Sequence, residues 1–399
     1  MPDAMTATEP TPRSGLRRRS LGLDIVRSAA ILMVLLSHCG DMFDLWTGTS
    51  PWFYRSVAGF YGVELFFVLS GYLIGQLLLD ILAEPPSLRA LGTFLVRRWM
   101  RTLPLYYLCL AALALIWPPR FWEGNHAALW HDLPWFAGLA QNLAWPMVDE
   151  WFGVTWSLTV EEWFYLLFSV CLLASAALLG RRRAFWLTLG AFLLIPAALR
   201  WLAPLDADMD SAIRKIALYR LDAIGFGVLL AWMTARKMRL LEYKRTLLAA
   251  GLGLLAASWL GGMHWLETLA GPHLWRVLLF DIASLSFALC LPAARALESA
   301  GRLISRPFQA ISAQSYSLYL IHLSVLEMMG GYRITQSLPA TARLCLALSL
   351  MWGLYYLSYR TIEAPILRLR PPQARGAGNK RPGLRPGPAG ALRPQTPIT

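Results

Sequence analysis

Apolar stretches of about 20 residues recur along the chain, at about 22–40, 60–80, 102–118, 156–179, 185–203, 217–235, 246–263, 274–293, 311–330 and 340–359. A helix rising 1.5 Å per residue needs about 20 apolar residues to cross a hydrocarbon core of about 30 Å. The pattern therefore predicts an all-α, polytopic membrane helix bundle with about ten transmembrane helices. The polar segments between the stretches alternate in charge. Arg17–Arg19, then Arg97, Arg98 and Arg101, then Arg181–Arg183, Lys244 with Arg245, Arg302 with Arg306 and the tail after Arg360 fall on one predicted side. The other side keeps few basic residues, chiefly Arg55, Arg120, Arg214, Lys215 and Arg333. Because Lys and Arg gather on the cytoplasmic side of membrane proteins, both termini are expected to be cytoplasmic and the number of spans even.

Residues 1–20 read as a basic cytoplasmic tail, 21–370 as the membrane domain and 371–399 as a disordered Pro/Gly/Arg-rich cytoplasmic tail. The start lacks the short apolar core and small-residue site of a cleaved signal, so it is expected to be retained. No appended soluble domain is expected. The longest loop, roughly 119–155, is rich in Trp, His and Pro. Anchoring at the membrane face and a lid lined by Trp130, His131 and Trp135 both fit it.

Composition supports the membrane reading: 56% of residues are hydrophobic and 15% charged, against about 25% charged in soluble domains. The net charge of +13 follows from the loop asymmetry, so it points to orientation in a lipid bilayer and not to nucleic acid. Five cysteines stand singly, without metal-like spacing and in odd number. Four read as small buried hydrophobes, Cys39 stands beside His38, and no metal is expected.

Several predicted spans carry groups that lipid penalises. Asp24, Arg27 and His38 share the first; Arg27 and His38 are eleven residues apart, on one face about 16 Å from each other, and Asp24 is within pairing reach of Arg27. Glu64 lies in the second, near the depth of His38. Arg98 and Arg101 share a face at the entrance to the third. Glu161 and Glu162 are adjacent beside Trp163, and neighbouring positions point different ways, so one is expected to face a cavity and the other a helix contact. Arg220 and Asp222 occupy another span, and Tyr316, Tyr319 and His322 a further one. Arg27 also fits snorkelling toward headgroups, Glu64 an interfacial anion, and His322 simple packing. Together, so many ionisable groups imply a hydrophilic pathway or a buried reaction site between helices.

Six stretches in order resemble the acyltransferase-3 family of integral membrane acyltransferases. "LDIVRSAAILMVLLSH" is similar to its Arg-x10-His opening, at Arg27 and His38, and "GVELFFVLSGYLI" to its second-span signature. Arg98 and Arg101 match an Arg-x-x-Arg element, "WSLTVEEWFYLL" a Ser-x-x-Glu-Glu segment, and "SYSLYLIHLSV" and "TIEAPILRL" the last two signatures. The likeness covers about residues 20–370. Glu64 stands where Asp is common and Trp163 where Gln is common, which bears on the acceptor pocket.

The resemblance implies an O-acetyltransferase-like enzyme in the bacterial cytoplasmic (inner) membrane. Acetyl-CoA or another acyl-CoA would donate, and a hydroxyl of a glycan, glycolipid or related molecule would accept. Arg27, Arg98 and Arg101 would hold the anionic donor through guanidinium–phosphate bonds. His38 would be the general base, with Glu64, Glu161 or Glu162 as supporting acids and Glu64 or Glu161 orienting its ring. Asp24, Trp163, Arg220, Asp222, Tyr316, Tyr319 and His322 would be structural or substrate-lining. Family members often carry a fused extracytoplasmic esterase-like domain; here transfer would be completed in the membrane domain or handed to a separate extracytoplasmic partner. On the buried charges alone, a proton-coupled transporter or a non-catalytic partner in polysaccharide assembly fits as well.

Overall fold

The computed structural model describes residues 20–49, 53–116, 126–147, 151–236, 239–261, 266–331 and 333–372. The two predicted tails fall outside these, apart from Ser20, Pro371 and Pro372. Among the described residues every regular element is helical: α1 (Leu21–Thr47), α2 (Phe53–Leu82), α3 (Leu88–Ile116), α4 (His126–Ala137), α5 (Trp156–Leu179), α6 (Arg181–Leu202), α7 (Leu221–Ala235), α8 (Lys244–Gly261), α9 (Leu266–Ala296), α10 (Arg302–Gly331) and α11 (Ala340–Ser358). Each of the ten apolar stretches lies largely within one of these helices, and α4 is added in the long loop.

Length and apolarity sufficient to cross a membrane hold for six stretches among the described residues: Leu21–Thr47, Val57–Leu82, Gly153–Leu179, Arg181–Leu202, Gly271–Ala296 and Ala340–Arg368. The expectation of ten is corrected to six on this criterion, and the composition of the others explains why. Four arginines crowd the first half of α3, α7 has 15 residues, and α8 opens on Lys244 and Arg245. Serines, Gln309, Gln314 and His322 dilute α10. Such helices gain their stability from neighbours that satisfy their polar groups, not from apolarity alone.

Helix α2 lies at the centre, packed against α1 on one flank and α7 on the other. Small residues make this approach close. A Cβ at Gly71 would sit 2.0 Å from the carbonyl oxygen of Ile224, and one at Gly227 would sit 2.1 Å from that of Val68. Phe67, Ile74 and Leu78 of α2 join Phe164, Phe168 and Leu172 of α5 and Ile224 and Val228 of α7 in the largest apolar core. The start of α1 is held by the chain after α9: the amides of Leu21 and Gly22 donate to Glu298 and Leu297. Helix α11 runs into a π-helical turn, Tyr359–Glu363, which brings Glu363 back to α10.

Candidate active site

Arg27 and His38 both lie on the unbroken helix α1, so their separation along the axis is about 16 Å. At the Arg27 end, Ser312 of α10 links two predicted residues. Its hydroxyl donates to Asp24 Oδ1 (2.7 Å) and accepts from Arg27 Nη1 (3.1 Å). Beside them opens a cavity of about 390 Å³ walled by Asp24, Arg27, Gln76, Arg101, Arg295, Ser312 and Glu363 among others. A second cavity, about 120 Å³, shares Arg27, Leu73 and Arg101 with the first and continues to Ser70, Arg98, Ser157, Glu161, Tyr316 and Tyr319. The three predicted arginines thus meet around one space. Arg98 is held there by Tyr165, with Nη2 donating to the phenol oxygen at 2.9 Å and the guanidinium 4.5 Å from the ring centroid.

The adjacent glutamates divide as their helical phase dictates. Glu161 faces the second cavity and accepts from Ser70 Oγ at 2.7 Å. Glu162 is buried against α3, accepting from Thr102 Oγ1 at 2.7 Å, while Tyr316 donates to the Thr102 carbonyl at 2.6 Å. Trp163 reaches the long loop, its indole N–H donating to the Leu139 carbonyl at 2.7 Å.

Tyr319 ends the second cavity. Its hydroxyl bonds with Ser157 Oγ (2.6 Å) and donates to the Val154 carbonyl (3.1 Å), while its ring centroid lies 5.8 Å from that of His322. Fully buried His322 meets His38 edge to edge: the ring centroids are 5.0 Å apart, with His38 Nδ1 2.7 Å from His322 Nε2. His38 walls neither of these two cavities; Tyr319, which walls the second, lies beside His322, and His322 meets His38.

The ring partner of His38 is therefore a histidine and not the expected carboxylate. Glu64 is engaged elsewhere, ion-paired with Arg220 and accepting from Ser284 Oγ at 3.2 Å. Asp222 pairs with Arg200 at 2.6 Å. These two pairs stand apart from the cavities. Trp130 and His131 of α4 are exposed, and Trp135 packs edge-on against Trp145 at 5.2 Å; none of the three walls either cavity. Among the described residues no group of three or more His, Cys, Asp or Glu is placed to hold a metal ion.

Sequence reasoning passed over Gln76, Arg295, Ser312 and Glu363, which complete the larger cavity. Glu363 lies inside the quoted "TIEAPILRL" stretch, so a signal existed for it. Ser312 carried none, because a serine in an amphipathic helix is unremarkable until its partners are known.

A family model described as an acyltransferase domain matches residues 20–360. O-acetyltransferase OatA from Staphylococcus aureus strains NCTC 8325 / PS 47, COL and MRSA252 is in each case 26% identical over 360 residues. The match covers 86% of this chain and 57% of each relative, so the chain spans little more than half the length of those proteins. No solved structure matches. Helices of membrane-spanning length and these bacterial relatives make the chain an integral protein of the bacterial inner (cytoplasmic) membrane. With the family model matched over nearly the whole described bundle, the chain belongs to the acyltransferase-3 family of membrane acyltransferase domains.

Proposed function

We propose that this protein transfers an acyl group, acetyl in the first instance, from acyl-CoA to a hydroxyl of a glycan, glycolipid or related acceptor at the membrane. The observation that carries the reading is the pair of adjoining cavities, walled at one end by Arg27, Arg98, Arg101 and Arg295 and ending at Tyr319 beside the His322–His38 pair. Phosphates of an acyl-CoA need several guanidinium donors, and the arginine-walled space supplies them. Its thioester arm is long enough for the ~16 Å between Arg27 and His38. The loop charges support both termini and the arginine mouth lying on the cytoplasmic side.

In the reaction, His38 accepts the proton of the acceptor hydroxyl as that oxygen attacks the thioester carbonyl. The C–S bond breaks, the ester forms, and the CoA thiolate leaves to take up a proton. The arm passes Tyr319, which walls the second cavity beside His322, and the Tyr319 ring turns aside as it arrives, exchanging its bond to Ser157 for contact with substrate. Glu161, which faces the cavity, helps place the arm.

The test uses the purified protein in liposomes with labelled acetyl-CoA and candidate glycan or glycolipid acceptors. His38→Ala is expected to abolish transfer with acyl-CoA binding retained, and Arg27→Ala to weaken binding. Full turnover by the His38 variant would overturn the reading. So would a wild-type protein that moves a solute across sealed liposomes while releasing no CoA.

A further inference from the structure

Hydrogen-bond logic around His322 determines more than its packing. Its Nδ1 lies 2.7 Å from the Tyr319 carbonyl oxygen and 3.1 Å from that of Leu318. A carbonyl only accepts, so this nitrogen carries a proton. Among the described residues no carboxylate bonds to the ring, and it is fully buried. A bare imidazolium there would be strongly disfavoured, so the ring is neutral and its other nitrogen, Nε2, presents a lone pair. That lone pair faces His38 Nδ1 at 2.7 Å. Two lone pairs cannot share a bond, so the proton between the rings belongs to His38.

We infer that His322 is the positioning residue for His38, holding it as the tautomer protonated on Nδ1 so that Nε2 is the nitrogen free to take a proton. The inference rests on the reading of His38 as general base and deepens it. A backbone turn of α10 sets the tautomer of His322, and His322 sets that of His38. Which ring nitrogen is protonated is governed by the bond the other one makes. A carboxylate usually plays this part in nucleophile-activating triads. A neutral imidazole performs the same orientation without placing a second buried charge beside the base, which suits a site inside a membrane, where an unmatched carboxylate is costly. Once His38 has gained a proton at Nε2, the same lone pair accepts from the resulting imidazolium. The near-coplanar, edge-to-edge rings, 26° between planes, give the pair the orientation that an in-plane N–H···N bond requires.

Solid-state ¹⁵N NMR of the histidine-labelled protein in liposomes tests this directly, with the His38 signals assigned by their loss in His38→Gln. In the otherwise unsubstituted protein His38 is expected to show a protonated Nδ1 and an unprotonated Nε2. In His322→Leu the proton is expected to populate Nε2. Kinetically, His322→Ala is expected to lower kcat by about 10²-fold or more with little change in KM for acyl-CoA. His322→Gln, whose amide oxygen accepts from Nδ1–H, is expected to restore much of that loss. A His38 ring protonated on Nε2 in the unsubstituted protein would overturn the inference, and that readout needs no variant at 322 to fold. Failure of the acyl-transfer reading shows separately, as unchanged turnover in His38→Ala, because the tautomer is read without turnover.

Discussion

Arg220 and Glu64 form an ion pair in which neither side chain is exposed to solvent. It belongs to a larger group. Arg200 pairs with Asp222 at 2.6 Å and Asp281 at 2.9 Å, and the Arg220 guanidinium lies 3.9 Å from the Phe280 ring centroid. The contributing chain comes from α2, α6, α7 with the turn before it, and α9, so these charges tie together four parts of the bundle that are far apart in sequence.

The pair makes a prediction about stability. A buried ion pair is weak evidence for net stabilisation, yet removing one partner strands the other, at about 3–5 kcal/mol. Glu64→Leu and Arg220→Met, each alone, should markedly lower the unfolding temperature in detergent. The double substitution should recover most of the loss, since it leaves neither of these charges stranded. Additive losses would show that the two groups act independently.

Much of the bundle was legible in the sequence, because apolar runs of span length and alternating basic loops leave few alternatives. Ten stretches were marked and ten helices correspond to them. The arginines at 27, 98 and 101 also meet as expected. What escaped was pairing across the bundle. Glu64 has the depth of a partner for His38, but depth says nothing about azimuth, and on α2 it is Arg220 that it pairs with. Arg200 and Asp281 were not singled out in the sequence, because only the fold brings Arg200 to Asp222 and to Asp281. The split between Glu161 and Glu162 was readable, since helical phase alone separates adjacent side chains.

Close approach of α2 and α7 gives a second prediction. Gly71→Ala would drive a methyl group to 2.0 Å from the Ile224 carbonyl oxygen, a backbone atom that cannot rotate away. Overpacking of this kind costs about 1–3 kcal/mol where side chains can yield. Here the helices themselves must separate, so the loss should reach or exceed that range. Gly92→Ala is the control: nothing lies within 4 Å of its Cβ on α3. Replacing a helical glycine there should stabilise by about 0.5–1 kcal/mol. Thermal unfolding of both variants in one detergent decides between a close helix contact and a general intolerance of alanine.

Acid should loosen the segment between α6 and α7. Asp208 caps its π-helical turn, Met209–Arg214, accepting from the Ser211 amide (2.7 Å), the Ser211 hydroxyl (2.8 Å) and the Asp210 amide (3.1 Å). These bonds, the Ser211 amide foremost, hold its carboxyl below the usual carboxylate range. A depressed folded value means that the stabilisation is fully present above the unfolded value of about 3.9 and is lost as pH falls through the lower one. Hydrogen exchange over residues 209–214 should therefore be insensitive to this group from pH 5 to 8 and gain an extra opening below about pH 4. Asp208→Ala should show the cap's open behaviour already at neutral pH and keep only the smaller acid step of Asp210, which pairs with Arg214 and Lys215 in the same turn.

The last prediction separates the arginines by what each one touches. Arg27 walls both cavities and is steadied by Ser312, whereas Arg98 also bonds to Tyr165 and so braces α3 against α5. Loss of a charge-assisted bond is worth about 1.5–3 kcal/mol, or roughly 10–100-fold in binding. Arg27→Ala should therefore raise KM for acetyl-CoA by roughly that factor, while Arg98→Ala should lower affinity and also loosen α3 from α5. Arg27→Lys should fall between, because an ammonium keeps the charge but not the planar fork. Acetyl-dephospho-CoA adds a second axis. If Arg27 serves the 3′-phosphate, removing that phosphate should weaken binding to the unsubstituted protein and leave Arg27→Ala almost unaffected. Equal losses in both would place Arg27 against the diphosphate, nearer the start of the arm that must run toward Tyr319.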